Sequence, residues 1–289
     1  MKELRGKTAF VTGGASGIGY ALAEAFGREG MNVMIADIEP GPLAEAVAAL
    51  QAMGLRVEGV ETDVTRRASV REAAARAVDA FGKVHVVCNN AGVGTGGRLH
   101  QIPERDWPWV FDVNVMGVVH GVETFTPLMR AHGEGGHFVN TASIAGLLPS
   151  PGLAPYSGSK AAVVVLSEAW AQPLATRKIG MSILCPGMVA TRFAASRRNR
   201  QAAYGGDSET SGLETPEMAV GFEGGLAPAL VAARVVEAVK DDELFVFTHP
   251  EYRALLKTRF DAILAAFDRT EASPSLAALA PREPPAWRR

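Results

Sequence analysis

The chain has 289 residues, 47% of them hydrophobic and 21% charged, with a formal net charge of −2. This composition is ordinary for a globular protein and gives no basic surface of the kind that binds nucleic acids or anionic membranes. No apolar stretch approaches the roughly 18 residues that cross a bilayer, and the amino-terminal sequence has no secretory pattern. Two cysteines are too few for a disulfide framework. We therefore expect a cytoplasmic protein that binds a small molecule and neither nucleic acid nor membrane.

Short apolar runs alternate with longer helical patterns over most of the chain. A strand at 8–12 leads through a glycine loop into a helix whose residues Ile18, Leu22 and Phe26 share one face. Further strand candidates lie at 31–37, 55–64, 84–92, 136–143 and 181–187, with helices between them, the longest at 104–132 and 155–178. This alternation predicts an α/β fold: a doubly wound, mostly parallel sheet of the Rossmann type with helices on both faces.

The last part of the chain divides into three stretches. Residues 188–227 are rich in Gly, Ser and Arg with little periodicity, and a stretch of this length inside a domain is typical of a functional lid or of disorder. A helix, a strand and a second helix are predicted between 228 and 268. We expect a single domain over 1–270, with 188–227 as its substrate lid, and an extended or disordered tail at 271–289.

The sequence TGGASGIG at 12–19 joins the first strand directly to the first helix, which is the context in which a glycine motif binds a dinucleotide. Gly13 supplies a positive φ for the tight turn, Gly17 leaves room for a diphosphate, and Gly19 allows close packing of the helix. The N–H groups at the start of the helix then face the phosphates. The predicted cofactor contacts are Gly13, Ser16, Gly17, Ile18 and Gly19. The alternative is a plain glycine-rich connection.

The second strand ends at Asp37. A carboxylate at this place accepts both hydroxyls of an adenosine ribose and repels a 2′-phosphate. The neighbours Ile38 and Glu39 bring no cation that would neutralise such a phosphate. We therefore predict NAD as the cofactor, with NADP less favoured. The alternative is that Asp37 only caps the next helix.

Polar residues also end the third and fourth predicted strands. Asp63, followed by Val64, either reaches the adenine amino group or caps the following helix. The fourth strand ends in NNAG, and Asn90, Ala91 and Gly92 are predicted to contact the cofactor and to support the neighbouring loops. Both places lie at the carboxyl edge of the sheet, where such folds bind their ligands.

Residues 156–160 read YSGSK, in which a tyrosine and a lysine four apart share one face of a helix. With TGGASGIG, NNAG, NVMG, NTAS and PGMVAT in the same order, this pentapeptide resembles the short-chain dehydrogenase/reductase family over roughly residues 5–192. The resemblance implies an active site of Asn114, Ser143, Tyr156 and Lys160. It also implies cofactor contacts by Tyr156, Lys160, Pro186, Gly187 and Thr191.

Such a site moves a proton while a hydride passes between an alcohol carbon and a nicotinamide. We expect Tyr156 to act as general base or acid, with the Lys160 ammonium and the positive nicotinamide ring together lowering its pKa by about three units. Ser143 is expected to hydrogen-bond the substrate oxygen, and the resemblance implies that Asn114 holds a water that links the lysine to solvent. As alternatives, Asn114 bonds its own backbone and Ser143 is a turn residue.

Loops after the fourth and fifth strands and the 188–227 segment should line the substrate pocket. Their apolar side chains favour a hydrophobic or aromatic substrate, and the predicted substrate contacts are Ser143, Leu148, Leu153, Met188 and Phe193. The stretch FTHPEYRALLKTRFDAILAAFD resembles bacterial dehydrogenases that oxidise benzylic alcohols of lignin-derived β-aryl ethers. For the arginines at 192, 197, 198 and 200 we expect a solvated face rather than an anion site.

Together these patterns predict an NAD-dependent oxidoreductase for secondary alcohols and ketones. Two alternatives keep the fold: an enzyme that uses bound NAD for epimerisation or dehydration, and a non-enzymatic NAD-binding module. No cluster of His, Cys and carboxylates has metal-ligand spacing, so we expect no catalytic metal. The resemblance implies a homodimer or homotetramer, although Pro173 interrupts the pattern of a helix that relatives use for assembly.

Overall fold

A parallel sheet defines the architecture. The computed structural model describes residues 1–206 and 221–277, and within them seven strands pair in the order β3-β2-β1-β4-β5-β6-β7. All these pairs are parallel. The strands are β1 Thr8–Thr12, β2 Asn32–Asp37, β3 Val57–Glu61, β4 Val86–Asn89, β5 Gly136–Thr141, β6 Ile179–Cys185 and β7 Phe245–Phe247. The strand order reverses between β1 and β4, so the predicted doubly wound fold is confirmed and its ligand crevice lies at this switch point.

Helices cover both faces of the sheet. They include α1 Gly17–Arg28, α2 Pro40–Ala52, α3 Arg67–Phe81, α4 Asp106–Phe111, α5 Gly117–His132, α6 Ala154–Ala175 and α7 Pro228–Asp241. Side chains of β1 alternate between two apolar layers. Phe10 packs in the layer that holds Phe125 of α5, whereas Val11 packs in the layer that holds Leu22 of α1 and Val235 of α7. Burial on both faces explains why the central strands are continuous apolar runs.

The helix predicted at 104–132 is interrupted. It begins at Asp106, and a π-helical turn at Asp112–Met116 separates α4 from α5. A π turn holds more residues than an α turn and is frequent at functional sites. Asn114 belongs to this turn and is fully buried. The other long helix, α6, ends at Ala175 rather than at 178 and runs through Pro173 without a break.

The chain divides into two compact units, Met1–Thr248 and His249–Arg289. The first contains the sheet and every predicted site residue. The second contains α8, Arg253–Glu271, so the predicted sequence of helix, strand and helix is confirmed. Residues 207–220 of the predicted lid and 278–289 of the predicted tail lie outside the described residues, and the domain limit at 270 stays a prediction. Among the described helices, none combines the length and the apolarity that a bilayer crossing needs.

Candidate active site

The glycine turn between β1 and α1 is packed too closely for side chains. Gly13 and Gly17 have φ angles of 64° and 54°, so the positive φ predicted for Gly13 is confirmed. A Cβ on Gly19 would lie 2.0 Å from the Gly13 carbonyl oxygen, and a Cβ on Gly17 would lie 3.0 Å from Thr191 Cγ2. Ser16 is the N-cap of α1, whose first N–H groups have no partner within the helix. The turn therefore presents an amide-lined surface that fits a diphosphate.

Thr12 connects this turn to the end of β4. Its Oγ1 accepts hydrogen bonds from the N–H groups of Asn90 at 2.9 Å and Ala91 at 3.0 Å. The Asn90 side chain donates in return to the Thr12 carbonyl at 3.0 Å. Asn90 thus supports the neighbouring loop as predicted. Thr12 was not identified from the sequence, although a hydroxyl at the crevice end of a buried strand is a usable signal.

Asp37 ends β2 and is held by two backbone groups. Its Oδ2 accepts from the N–H of Ala15 at 3.0 Å, and its Oδ1 accepts from the N–H of Glu39 at 3.1 Å. The N-cap of α2 is Glu39, so the alternative in which Asp37 caps that helix is wrong. The first of these bonds ties the carboxylate to the glycine turn at the carboxyl edge of the sheet.

Asp63 follows β3 and closes a local turn. Its Oδ1 accepts from the N–H of Thr65 at 2.9 Å, from Thr65 Oγ1 at 2.7 Å and from Gln201 Nε2 at 3.1 Å. The N-cap of α3 is Arg66, so the helix-capping alternative is wrong here as well. The adjacent Val64 is buried, and its carbonyl lies 2.9 Å from Nδ1 of His120.

Asn114 connects the π turn to two other elements. Its Oδ1 accepts from the N–H of Val93 at 2.8 Å, and its Nδ2 donates to the Val93 carbonyl at 2.9 Å. The same Nδ2 donates to Ser159 Oγ at 2.9 Å, and Ser159 Oγ donates to the Tyr156 carbonyl at 2.8 Å. Asn114 therefore bonds the loop after β4 and the first turn of α6 rather than its own backbone. Ser159, from the middle of YSGSK, was missed because its partner is distant in sequence.

Lys160 is almost completely buried at the start of α6, with 3% of its surface exposed. Its ammonium donates to the Thr141 carbonyl at the end of β5, at 2.7 Å, and lies 5.8 Å from the centre of the Tyr156 ring. Burial lowers the pKa of Lys160 from 10.5 to about 8. A Cβ on Gly92 would lie 3.3 Å from Lys160 Nζ, so the predicted Gly92 contact region and the lysine are neighbours.

Tyr156 has a raised pKa in the protein alone. Burial raises it to about 12, and the hydrogen bond with Ser143 offsets only part of this effect. The predicted lowering by the Lys160 ammonium together with the positive nicotinamide ring refers to the cofactor complex and stays a prediction. Ser143 Oγ also accepts from the N–H of Ala145 at 3.1 Å and donates to the Pro186 carbonyl at 3.4 Å. Ser143 is thus a turn residue and a neighbour of the phenol at once.

Aromatic side chains cover Tyr156. The ring centre of Phe193 lies 5.3 Å from that of Tyr156, and Phe222 lies 5.8 Å from Phe193. Of the other predicted substrate residues, Leu148 and Leu153 are half-buried in the loop after β5. The predicted substrate contact Met188 lies in the segment that follows β6. The predicted cofactor contacts Gly187 and Thr191 lie in the same segment. Phe222 was not identified from the sequence because its stretch shows no periodicity.

The expectation of a solvated face is wrong for Arg200, which is buried, whereas Arg192 is exposed. Arg198 is partly exposed and pairs with Glu39 at 3.0 Å, and Arg200 pairs with Asp106 at 2.9 Å. Both side chains of the second pair are fully buried, and Arg200 lies 4.3 Å above the Trp109 ring. Glu39, at the N-cap of α2, and Asp106, on α4, thus compensate these two charges.

The carboxyl edge of the sheet therefore gathers a diphosphate turn, an oriented aspartate, a partly buried tyrosine and a buried lysine. A profile of the short chain dehydrogenase family matches residues 7–202. The chain belongs to the short-chain dehydrogenase family. It is an oxidoreductase of that family, and the motif-based resemblance is confirmed.

Individual relatives of this short-chain dehydrogenase match most of its length. The C alpha-dehydrogenase of Sphingobium sp. strain SYK-6 is 33% identical over 280 residues, which are 95% of this chain and 90% of the relative. A short-chain dehydrogenase/reductase of Burkholderia phymatum in complex with NAD superposes with a TM-score of 0.88 at 40% identity, over 92% of this chain and 97% of the other. LigO of Sphingobium sp. strain SYK-6, in its apo form, superposes with a TM-score of 0.81 at 33% identity, over 96% and 94%.

One group of potential metal ligands occurs among the described residues of this dehydrogenase. His85, His132 and Glu134 bring ligand-type atoms within 4.8 Å of one another. His85 Nδ1 accepts from the N–H of Thr8 at 3.2 Å, and its Nε2 lies 3.0 Å from Glu134 Oε2. His132 Nδ1 accepts from the N–H of Glu134 at 3.2 Å, and its Nε2 lies 3.0 Å from the Val84 carbonyl. All four ring nitrogens have protein partners, so we assign this group a structural role at the amino edge of the sheet.

Replacing Lys160 by Met is expected to remove a pH-dependent part of the dehydrogenase's stability. Between the folded pKa of about 8 and the ordinary value of 10.5, the unfolded chain binds the lysine proton and the folded chain does not. The free energy of unfolding of the wild type should therefore rise with pH, by about 2 kcal/mol relative to Lys160→Met between about pH 8 and 10. Urea unfolding at a series of pH values measures this difference. Equal pH slopes of the free energy of unfolding in the two proteins would contradict the lowered pKa of the buried lysine.

Proposed function

We propose that this short-chain dehydrogenase interconverts secondary alcohols and ketones with NAD. The observation that carries the proposal is the pair formed by Tyr156 and the buried Lys160 on one face of α6, with Ser143 hydrogen-bonded to the phenol and Asn114 to Ser159 of the same helix. When bound, NAD would take up the hydride of the alcohol carbon. The glycine turn and Asp37 would hold its diphosphate and its adenosine ribose.

Tyr156 would exchange the hydroxyl proton of the substrate. In the oxidation direction its phenolate oxygen takes the proton from the hydroxyl oxygen, and the hydride leaves the carbon that bears this hydroxyl. A carbonyl then forms and the charges balance. In the reduction direction the phenol donates the proton to the carbonyl oxygen. The raised pKa of Tyr156 favours the neutral phenol at neutral pH, which suits the reduction and makes the oxidation faster at alkaline pH. Ser143 would bond the substrate oxygen as its charge changes.

Lys160 and Asn114 would support this proton transfer without contacting the substrate. The Lys160 ammonium stabilises a phenolate on Tyr156 and donates to polar groups at the end of β5. Asn114 fixes the first turn of α6 through Ser159 and the loop after β4 through Val93. A water beside Asn114 would then connect the ammonium to solvent, as the family resemblance implies.

The preference for NAD would come from Asp37. Replacement of Asp37 by Ala removes the negative charge that repels a 2′-phosphate and the acceptor of the ribose hydroxyls. We expect the ratio of kcat/KM for NAD to kcat/KM for NADP to fall about tenfold or more. Steady-state kinetics with both cofactors measures the ratio. A wild type that prefers NADP would contradict the assignment of Asp37.

The substrate would be hydrophobic or aromatic, as in a benzylic alcohol of a lignin-derived β-aryl ether. Support comes from the packing of Phe193 against Tyr156 and of Phe222 against Phe193, and from the similarity to the C alpha-dehydrogenase of Sphingobium. A screen for NADH formation over aryl secondary alcohols, β-aryl ethers, steroids and aliphatic alcohols tests the choice. Activity confined to small aliphatic alcohols would contradict it.

The same screen separates an oxidoreductase from the two other uses of the fold. A dehydrogenase accumulates NADH in proportion to substrate consumed. An epimerase or dehydratase converts substrate without net NADH, and a binding module converts nothing.

The homodimer or homotetramer and the cytoplasmic location expected from the sequence also belong to this proposal, and sedimentation of the purified protein tests the assembly.

A further inference from the structure

An arginine from the segment after β6 reaches the rim of the ribose site proposed at Asp37. Arg198 Nε donates to Glu39 Oε1 at 3.1 Å, and Arg198 Nη2 donates to Glu39 Oε2 at 3.0 Å. The two side chains are partly buried, with 29% and 22% of their surfaces exposed. This two-point geometry is the strong form of a carboxylate–guanidinium pair. It places a cation beside the end of β2 that no residue near Asp37 in the sequence supplies.

Both partners of the pair are held in place by backbone groups. Arg198 Nη1 donates to the carbonyls of Arg192 at 3.3 Å and Ala195 at 2.9 Å, so the opposite edge of the guanidinium points at Glu39. The N–H of Glu39 donates to Asp37 Oδ1 at 3.1 Å, which fixes the backbone of Glu39 against the aspartate. The guanidinium edge is therefore directed at a carboxylate whose own backbone touches the predicted ribose ligand.

We infer that Glu39 is a second determinant of cofactor choice, because it occupies Arg198 and so denies that cation to a 2′-phosphate. A guanidinium fork binds phosphate oxygens and carboxylate oxygens with the same geometry. While Glu39 is present, a phosphate beside Asp37 meets two carboxylates and an arginine that is already paired. Without Glu39, the same arginine edge is open to the phosphate. The inference rests on the proposed role of Asp37 in the NAD site.

The position is suited to a clean test. Glu39 is the N-cap of α2 but its side chain makes no capping hydrogen bond, so its removal does not uncap the helix. Asp37 itself repels a phosphate, and its charge has to be removed for the second effect to be seen. The background variant is therefore Asp37→Ser, to which Glu39→Ala and then Arg198→Met are added.

The probes are 2′,5′-ADP and 5′-AMP, which differ by the 2′-phosphate, with dissociation constants measured by calorimetry on the full chain. Adding Glu39→Ala to Asp37→Ser should strengthen binding of 2′,5′-ADP roughly tenfold and leave 5′-AMP nearly unchanged. Adding Arg198→Met should abolish the gain. Glu24→Ala is the matched control, since Glu24 binds Arg28 on α1 through two hydrogen bonds of 2.9 and 2.8 Å. It should change neither constant.

The outcomes separate this inference from the proposed function. If Glu39→Ala brings no gain for 2′,5′-ADP, or if the gain survives Arg198→Met, the inference is overturned while the NAD proposal stands. If the wild type already binds 2′,5′-ADP more tightly than 5′-AMP, the NAD proposal falls and the inference falls with it. In the Asp37→Ser, Glu39→Ala double variant, kcat/KM for NADP should also rise relative to Asp37→Ser alone.

Discussion

Replacement of Tyr156 by Phe is expected to lower kcat for alcohol oxidation by about a thousandfold, because the variant has no group that takes the hydroxyl proton. The phenyl ring keeps the packing against Phe193, whose ring centre lies 5.3 Å away, so fold and cofactor affinity should be retained. Initial rates of NADH formation and calorimetric titration of NAD measure the two properties separately. Tyr252→Phe, in the second compact unit, is the matched control and should keep wild-type rates.

The pH dependence of the two proteins gives a second readout. Since burial raises the pKa of Tyr156 to about 12 in the protein alone, the phenolate fraction grows with pH throughout the neutral and mildly alkaline range. Wild-type oxidation should therefore accelerate as the pH rises from about 7 to 9, and the residual rate of the variant should not follow. A Phe variant that retains a tenth of the activity, or that shows the wild-type pH profile, would remove Tyr156 from the proposed proton transfer.

Replacement of Asp106 by Asn is expected to destabilise the fold by about 3–5 kcal/mol, because it removes a fully buried carboxylate that pairs with the guanidinium of Arg200. Both side chains of the pair are fully buried, and their atoms lie 2.9 Å apart. Thr95 Oγ1 also donates to the Asp106 carboxylate. Urea unfolding followed by circular dichroism measures the loss. The amide keeps the shape of the carboxylate, so the effect reports on charge.

A double replacement distinguishes charge from packing at the same place. In Asp106→Leu with Arg200→Met, both charges are gone and apolar groups fill similar volumes, so most of the lost stability should return. The Trp109 ring, which lies 4.3 Å from the guanidinium carbon, then packs against the methionine. A single Asn variant that unfolds like the wild type, or a double variant weaker than the single one, would contradict a buried ion pair as the anchor of this segment.

The sheet and the glycine turn could be predicted because their physical causes are local. The interior of a strand covered on both faces must be apolar, as at Ala9, Phe10 and Val11, and a position without room for a Cβ must be glycine, as at Gly19. Parallel strands carry their carboxyl ends to one edge, which is why polar residues at successive strand ends could be placed together before the fold was known.

The contacts that could not be predicted join residues far apart in the chain. Asn114 and Ser159 are 45 positions apart, and Glu39 and Arg198 are 159 apart. Such polar pairs leave no periodic pattern in either partner. The raised pKa of Tyr156 in the protein alone could not be predicted for a related reason: the lysine four residues later is visible in the sequence, whereas the desolvation of the phenol depends on the whole fold.

The π turn at Asp112–Met116 changes the phase of the helix that contains it. Counting back from Val118 and Phe125 in steps of about 3.6 residues would turn Trp107 inward and Trp109 outward. The opposite is observed, since Trp109 is fully buried and Trp107 is 40% exposed. The apolar stripes of α4 and α5 are therefore out of step by about one residue, or about 100° of rotation. A regular helix over the same sequence would rotate one stripe out of the core, so the added residue that brings Asn114 inside is also what lets both halves bury their apolar side chains in the same layer.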